Sequence, residues 1–180
     1  MLELFPSLKK LDIRAYQLNE IPASILRMSN LTSLELPHCR IVLTEQTVNA
    51  LAAMENLHTL DLSHNPLALT PDLRNLNACR SLQLSNTGLT DVPAGLFAMP
   101  QLTYADLSAN AIIELPDPLP SPADGRGATY DFSNNPLSLE SQQRLTIYNA
   151  TNETRLQEER GRLASTYQAL DNFRDMSFSD

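Results

Sequence analysis

The stretch Leu57-His-Thr-Leu-Asp-Leu-Ser-His-Asn-Pro-Leu67 decides the reading of this chain. With Leu57 as position 0, Leu60, Leu62, Asn65 and Leu67 fall at offsets +3, +5, +8 and +10. Leu60 and Leu62 are two apart, so they point the same way from a short strand, and Leu57 and Leu67 enter and leave the strand on that inward side. Asn65 falls where the chain must turn out of the sheet, leaving backbone donors and acceptors that a strand ladder cannot reach. A primary amide offers both functions at once. Asparagines stacked in successive copies can therefore satisfy successive turns of a coil, and removing one is expected to cost about 1–3 kcal/mol.

The template recurs. First positions at Leu8, Leu31, Leu57, Cys79, Leu102 and Gly127 give periods of 23, 26, 22, 23 and 25 residues. The asparagine slot holds Tyr16, Cys39, Asn65, Thr87, Asn110 and Asn135, with the poorest fit at Tyr16, in the terminal copy. Ile21-Pro22, Val92-Pro93 and Leu115-Pro116 follow three of the turns, and proline suits short extended or 3₁₀ pieces better than long helices. Thr44 to Met54 is different: Val48, Leu51 and Met54 lie at helical spacing, which predicts a helix with Thr44 as N-cap. Six registered copies predict an α/β, right-handed solenoid with one parallel sheet lining its concave face. Residues 8–137 carry the copies, and residues 1–7 look like the remnant of a preceding one, which hints at an excised fragment.

Beyond Leu137 the pattern changes. Ser138 can cap a helix that starts near Leu139 and carries Leu145 and Tyr148 on one side, and Asn149 to Asn152 is expected to interrupt it. A second helix is expected from about Glu153 to Asn172, with an apolar stripe of Leu156, Leu163, Tyr167, Leu170 and Phe173. Residues 138–175 then form a C-terminal helical cap over the open end of the core, or a connector to a further domain, and 176–180 a tail.

The repeats resemble the intracellular leucine-rich-repeat superfamily over about residues 1–140. More narrowly, DLSHNPL (61–67), LQLSNTGLTDVPAGLFAMPQLTYADLSANAI (82–112) and NNPLSLESQQRL (134–145) followed by Tyr148 look like the repeat region of bacterial effectors whose repeats precede a NEL-type, or novel ubiquitin ligase, catalytic domain. That resemblance implies a substrate-recognition module delivered into a host cytoplasm, in some members one that also restrains the ligase. The family's catalytic cysteine lies after the repeats, and neither Cys39 nor Cys79 corresponds to it, since both occupy repeat-template positions. The alternative is a stand-alone intracellular scaffold with no associated enzyme.

Composition narrows the partners. A formal charge of −8 opposes nucleic acid, whose binding is dominated by phosphate neutralisation, and favours a protein with a basic or neutral surface. No apolar run reaches the roughly 18 residues of a membrane span, and no leader pattern opens the chain. Two cysteines make neither a disulfide framework nor a metal spacing, so a reducing, intracellular compartment is the easier inference. No catalytic constellation, cofactor loop or metal cluster is expected. Gly125-Arg-Gly127 lacks the context of a dinucleotide loop and reads as a flexible detour.

Function then rests on the outward strand positions. Offset +4 reads Asp12, Glu35, Asp61, Gln83, Asp106 and Asp131, and offset +2 places Tyr104 beside them. Carboxylates on strands about 4.8 Å apart repel one another, and a cationic ligand would relieve that repulsion. Glu35, Asp61, Gln83, Tyr104, Asp106 and Asp131 are therefore the expected partner-binding residues, with Tyr104 as a flat hot-spot contact. The competing reading is that aspartate at +4 is a frequent filler making local hydrogen bonds. His38 and His64, at +7 of neighbouring copies, join the partner-binding set; as metal ligands they lack a third partner.

Overall fold

The computed structural model describes residues 7–119 and 127–176. Six three-residue strands form one sheet: β1 (Lys10–Asp12), β2 (Ser33–Glu35), β3 (Thr59–Asp61), β4 (Ser81–Gln83), β5 (Tyr104–Asp106) and β6 (Thr129–Asp131). All are parallel and stand in chain order. The register joins Leu11, Leu34, Leu60, Leu82, Ala105 and Tyr130 in one file, the +3 position of every copy. Differences in repeat length are thus absorbed outside the sheet.

The inward positions build the core. Leu57, Leu60, Leu62 and Leu67 are fully buried, as are Leu34, Leu36, Leu82, Leu84 and Leu107, each contributing roughly 1.5–3 kcal/mol of burial. Beyond the strands the ladder continues through backbone bonds such as Leu36 N to Asp61 O (2.8 Å), Leu62 N to Gln83 O (2.9 Å) and Leu84 N to Asp106 O (2.8 Å).

The convex side is made of short pieces, as the prolines suggested. Pro22 stands at the N-cap of α1 (Ala23–Leu26), a single α turn, and Leu96–Ala98 is 3₁₀. The longer α2 (Glu45–Ala52) starts at Thr44, which forms a reciprocal capping box with Thr47. Gly95, at φ +87°, sits against the backbone of Arg74, where a Cβ would come within 2.7 Å.

A third helix, α3 (Leu139–Met176), follows the last repeat and packs against it at its N-terminal part. Ser138 caps it through Ser141 N to Ser138 Oγ (3.2 Å). Tyr148 is buried against Tyr130, with ring centroids 5.5 Å apart, and Leu145 packs on the core. The expected break at Asn149–Asn152 is absent: α3 runs through it. Asn152 is buried and donates to Ala128 O (3.0 Å), so tertiary contact holds a turn-prone residue in the helix. Leu163, from the expected apolar stripe, is 52% exposed and does not pack on the core. The expectations for residues 1–6 and 177–180, and those for the side chains of Leu156, Tyr167, Leu170 and Phe173, lie outside the described residues.

Candidate protein-binding face

The outward side chains of the six strands form one surface, and its two ends differ in chemistry. At the β1 end the chain supplies its own cations. Lys10 Nζ donates to Glu35 Oε1 (2.7 Å), and Ser33 Oγ donates to the same oxygen (2.9 Å). Arg14 donates to both oxygens of Asp12 (2.8 and 3.1 Å) and through Nη2 to Glu35 Oε2 (2.8 Å). The Lys10 hydrogen bond holds the Glu35 carboxyl below its ordinary range against the opposing effect of burial, and the Arg14 hydrogen bond does the same for Asp12. Glu35 is thus saturated within the chain, its side chain only 13% exposed.

The other aspartates are held differently. One oxygen each of Asp61, Asp106 and Asp131 accepts the amide two residues on, from Ser63 (2.9 Å), Ser108 (2.9 Å) and Ser133 (2.8 Å), and Asp61 also accepts Ser63 Oγ (2.6 Å). These local bonds are those of the filler reading, and they also fix each carboxylate's rotamer. Gln83 interrupts the acidic file between Asp61 and Asp106. Tyr104, half-buried on β5, has its phenol pushed above the ordinary value by burial and by the nearby Asp106 and Asp131 carboxylates.

His38 and His64 come together as their shared offset implied. Their rings stack with centroids 4.1 Å apart and 7° between planes, and His64 Nδ1 lies 3.0 Å from Asn86 Nδ2. In parallel planes the nitrogen lone pairs run side by side and do not converge, which is poor geometry for chelation. Among the described residues no group of three or more histidine, cysteine or acidic side chains could hold a metal ion. Cys39 and Cys79 are fully buried fillers. Cys39 Sγ donates to Ile13 O (3.2 Å) and Pro37 O (3.4 Å), and burial pushes the Cys79 thiol up to about 11.

Two features escaped the sequence reading. Lys10 and Arg14 neutralise the β1 end, and the available signal was Arg14 standing two residues after Asp12 on one strand face. Gly127, taken for part of a flexible detour, is a close-approach position: a Cβ there would collide with the Asn152 side chain of α3. Its signal was a glycine in the slot where the other copies carry leucine or cysteine.

A family model described as Leucine Rich Repeat matches residues 56–76. No curated protein matches the chain. Among solved structures, an internalin from Listeria monocytogenes superimposes with a TM-score of 0.54 at 20% identity, covering 81% of this chain and 47% of that one. A leucine-rich-repeat protein from Leptospira interrogans gives 0.49 at 20% identity, covering 82% and 49%. The chain spans about half the length of these structures. No helix among the described residues is long and apolar enough to cross a membrane. The repeat register, the family match and the internalin superposition make this chain a leucine-rich-repeat solenoid.

Proposed function

We propose that the chain is a protein-binding module that receives its partner on the concave sheet face, over β3 to β6. The observation that carries this reading is the asymmetry of the acidic file. Its β1 end is neutralised by Lys10 and Arg14, while Asp61, Asp106 and Asp131 accept only local amide and hydroxyl bonds among the described residues. A basic partner segment lying across these strands would find fixed carboxylates, with Gln83 and Tyr104 between them. His38 and His64 would flank that segment at the edge of the sheet. With no catalytic role assigned to any residue here, any enzymatic activity would belong to a longer parent protein.

The biological setting is a second layer of the same proposal. The sequence resemblance to repeats that precede NEL-type ligase domains supports a substrate-recognition role within a bacterial effector acting in a host cytoplasm. A stand-alone scaffold remains the alternative, and the sequence flanking this chain separates the two. The binding reading itself is tested by a photo-crosslinking residue placed at Thr59 on the concave face or at the exposed Ile113, outside the sheet. Covalent protein adducts from Thr59 and none from Ile113 are expected; adducts from Ile113 alone would reject the concave face.

A further inference from the structure

The concave face contains, at its β1 end, an internal example of the ligand its other end lacks. Asp12 and Glu35 are register partners on adjacent strands. The Arg14 guanidinium bridges them, with Nε and Nη2 on Asp12 (2.8 and 3.1 Å) and Nη2 on Glu35 Oε2 (2.8 Å). Lys10 on the same face reaches one carboxylate only, Glu35 at 2.7 Å. A guanidinium spans a carboxylate pair because its donors are spread over a rigid plane, whereas an ammonium is a point charge.

Asp106 and Asp131 hold the same register positions on β5 and β6, with aspartate in place of Glu35. They are register partners at the same offset and both are partly exposed. Each is oriented by an amide, Ser108 N at 2.9 Å and Ser133 N at 2.8 Å. The offset that carries Arg14 in the first copy carries Ser108 and Ser133 here, side chains too short to bridge the pair. Tyr104 lies two residues before Asp106, on the same face of β5, and offers the flat ring on which a guanidinium stacks. Its register partner Thr129 is small and exposed, which leaves the approach open.

We propose that Asp106, Asp131 and Tyr104 form a seat for an arginine side chain of the protein partner, selective for arginine over lysine. The inference rests on the concave-face reading and adds to it the identity of one recognised side chain. It excludes Glu35, the homologous carboxylate whose place is taken by the chain's own cations.

The test uses the whole chain, labelled with ¹⁵N, titrated by NMR with N-acetyl-arginine amide, N-acetyl-lysine amide and N-acetyl-citrulline amide across the millimolar range. Saturable shifts at the amides of Tyr104, Ser108 and Ser133 are expected with arginine, at least about threefold weaker with lysine and absent with the neutral citrulline. Asp106→Asn with Asp131→Asn should abolish them while the remaining spectrum stays unchanged, because an asparagine oxygen can still accept the Ser108 and Ser133 amides. Equal affinities for arginine and lysine would overturn the seat. So would shifts centred on other strands, shifts that survive the double substitution, or no saturable shift. The Thr59 crosslink separates the two levels: adducts there without an arginine preference leave the concave face standing and remove the seat.

Discussion

The offset +7 residues, Ala15, His38, His64, Asn86, Ala109 and Asn134, all adopt left-handed backbone, with φ between 51 and 58°. That conformation turns the chain out of each strand and delivers the next residue into the asparagine slot. Asparagine and histidine enter it more readily than most residues, which gives His38 and His64 a backbone reason for being where they are. Alanine has no such reason, so Ala109→Gly should relieve about 1–2 kcal/mol of strain against about 0.5–1 kcal/mol of added chain entropy. A small rise in melting temperature is the expected result, and a fall would contradict it. In the slot itself, Asn110 Oδ1 accepts from Thr87 N, Thr87 Oγ1 and Leu89 N, while Nδ2 donates to Leu84 O, Leu107 O and Ser108 O. Asn135 makes three such bonds. Asn110→Ala should therefore cost about 1–3 kcal/mol in urea unfolding, and more than Asn135→Ala. Where the slot holds Cys39 or Thr87, the backbone carbonyl of that residue accepts the neighbouring amides, from Leu18 and Asn19 or from Leu67. The asparagine role was legible from spacing alone; this substitute was not, because it divides the work between a backbone carbonyl and a side chain, Cys39 Sγ donating to Ile13 O and Thr87 Oγ1 to Leu84 O.

At the level of elements, α3 is held to the last repeat by contacts that local sequence could not announce. Asn152 donates to Ala128 O, and Arg155 Nη2 donates to Asn152 Oδ1 (2.6 Å), beside Gly127. Gly127→Ala would force Asn152 away and leave Ala128 O unpaired. Hydrogen exchange should then speed up in α3 around residues 145–152 while β2 to β4 keep their protection; unchanged exchange in α3 would refute this docking. Turn propensity at Asn149–Asn152 suggested an interruption, but the hydroxyls of Thr151 and Thr154 bond back to Ile147 O and Ala150 O, and the helix continues. The Thr44 and Ser138 caps were legible because capping is local chemistry. Gly127 was not, because its reason is a side chain twenty-five positions away in sequence.

Over the whole molecule, strand register follows the offset arithmetic of the sequence, so every outward residue could be placed in its file from spacing. What spacing could not show is which charges the chain neutralises itself. Depressed carboxyls at Asp12 and Glu35 contribute stability at neutral pH that is lost as pH falls through their lowered folded values, below the ordinary range of about 4. The melting temperature of the parent should accordingly fall more steeply below about pH 4 than that of a Lys10→Met, Arg14→Met variant. Parallel curves would show the β1 cluster to be energetically silent, as exposed ion pairs often are.

The central claim, that the concave face over β3 to β6 receives a protein, is tested most directly by affinity capture from candidate host and bacterial lysates with the parent chain and with Asp61→Lys combined with Asp106→Lys. Both side chains are partly exposed, but Asp61 also serves the amide and hydroxyl of the buried Ser63, so the melting temperature of the variant is measured beside the capture to show that both chains are folded. A partner captured by the parent and lost by the folded variant is the predicted result. The same partner retained in full by the variant would contradict the account.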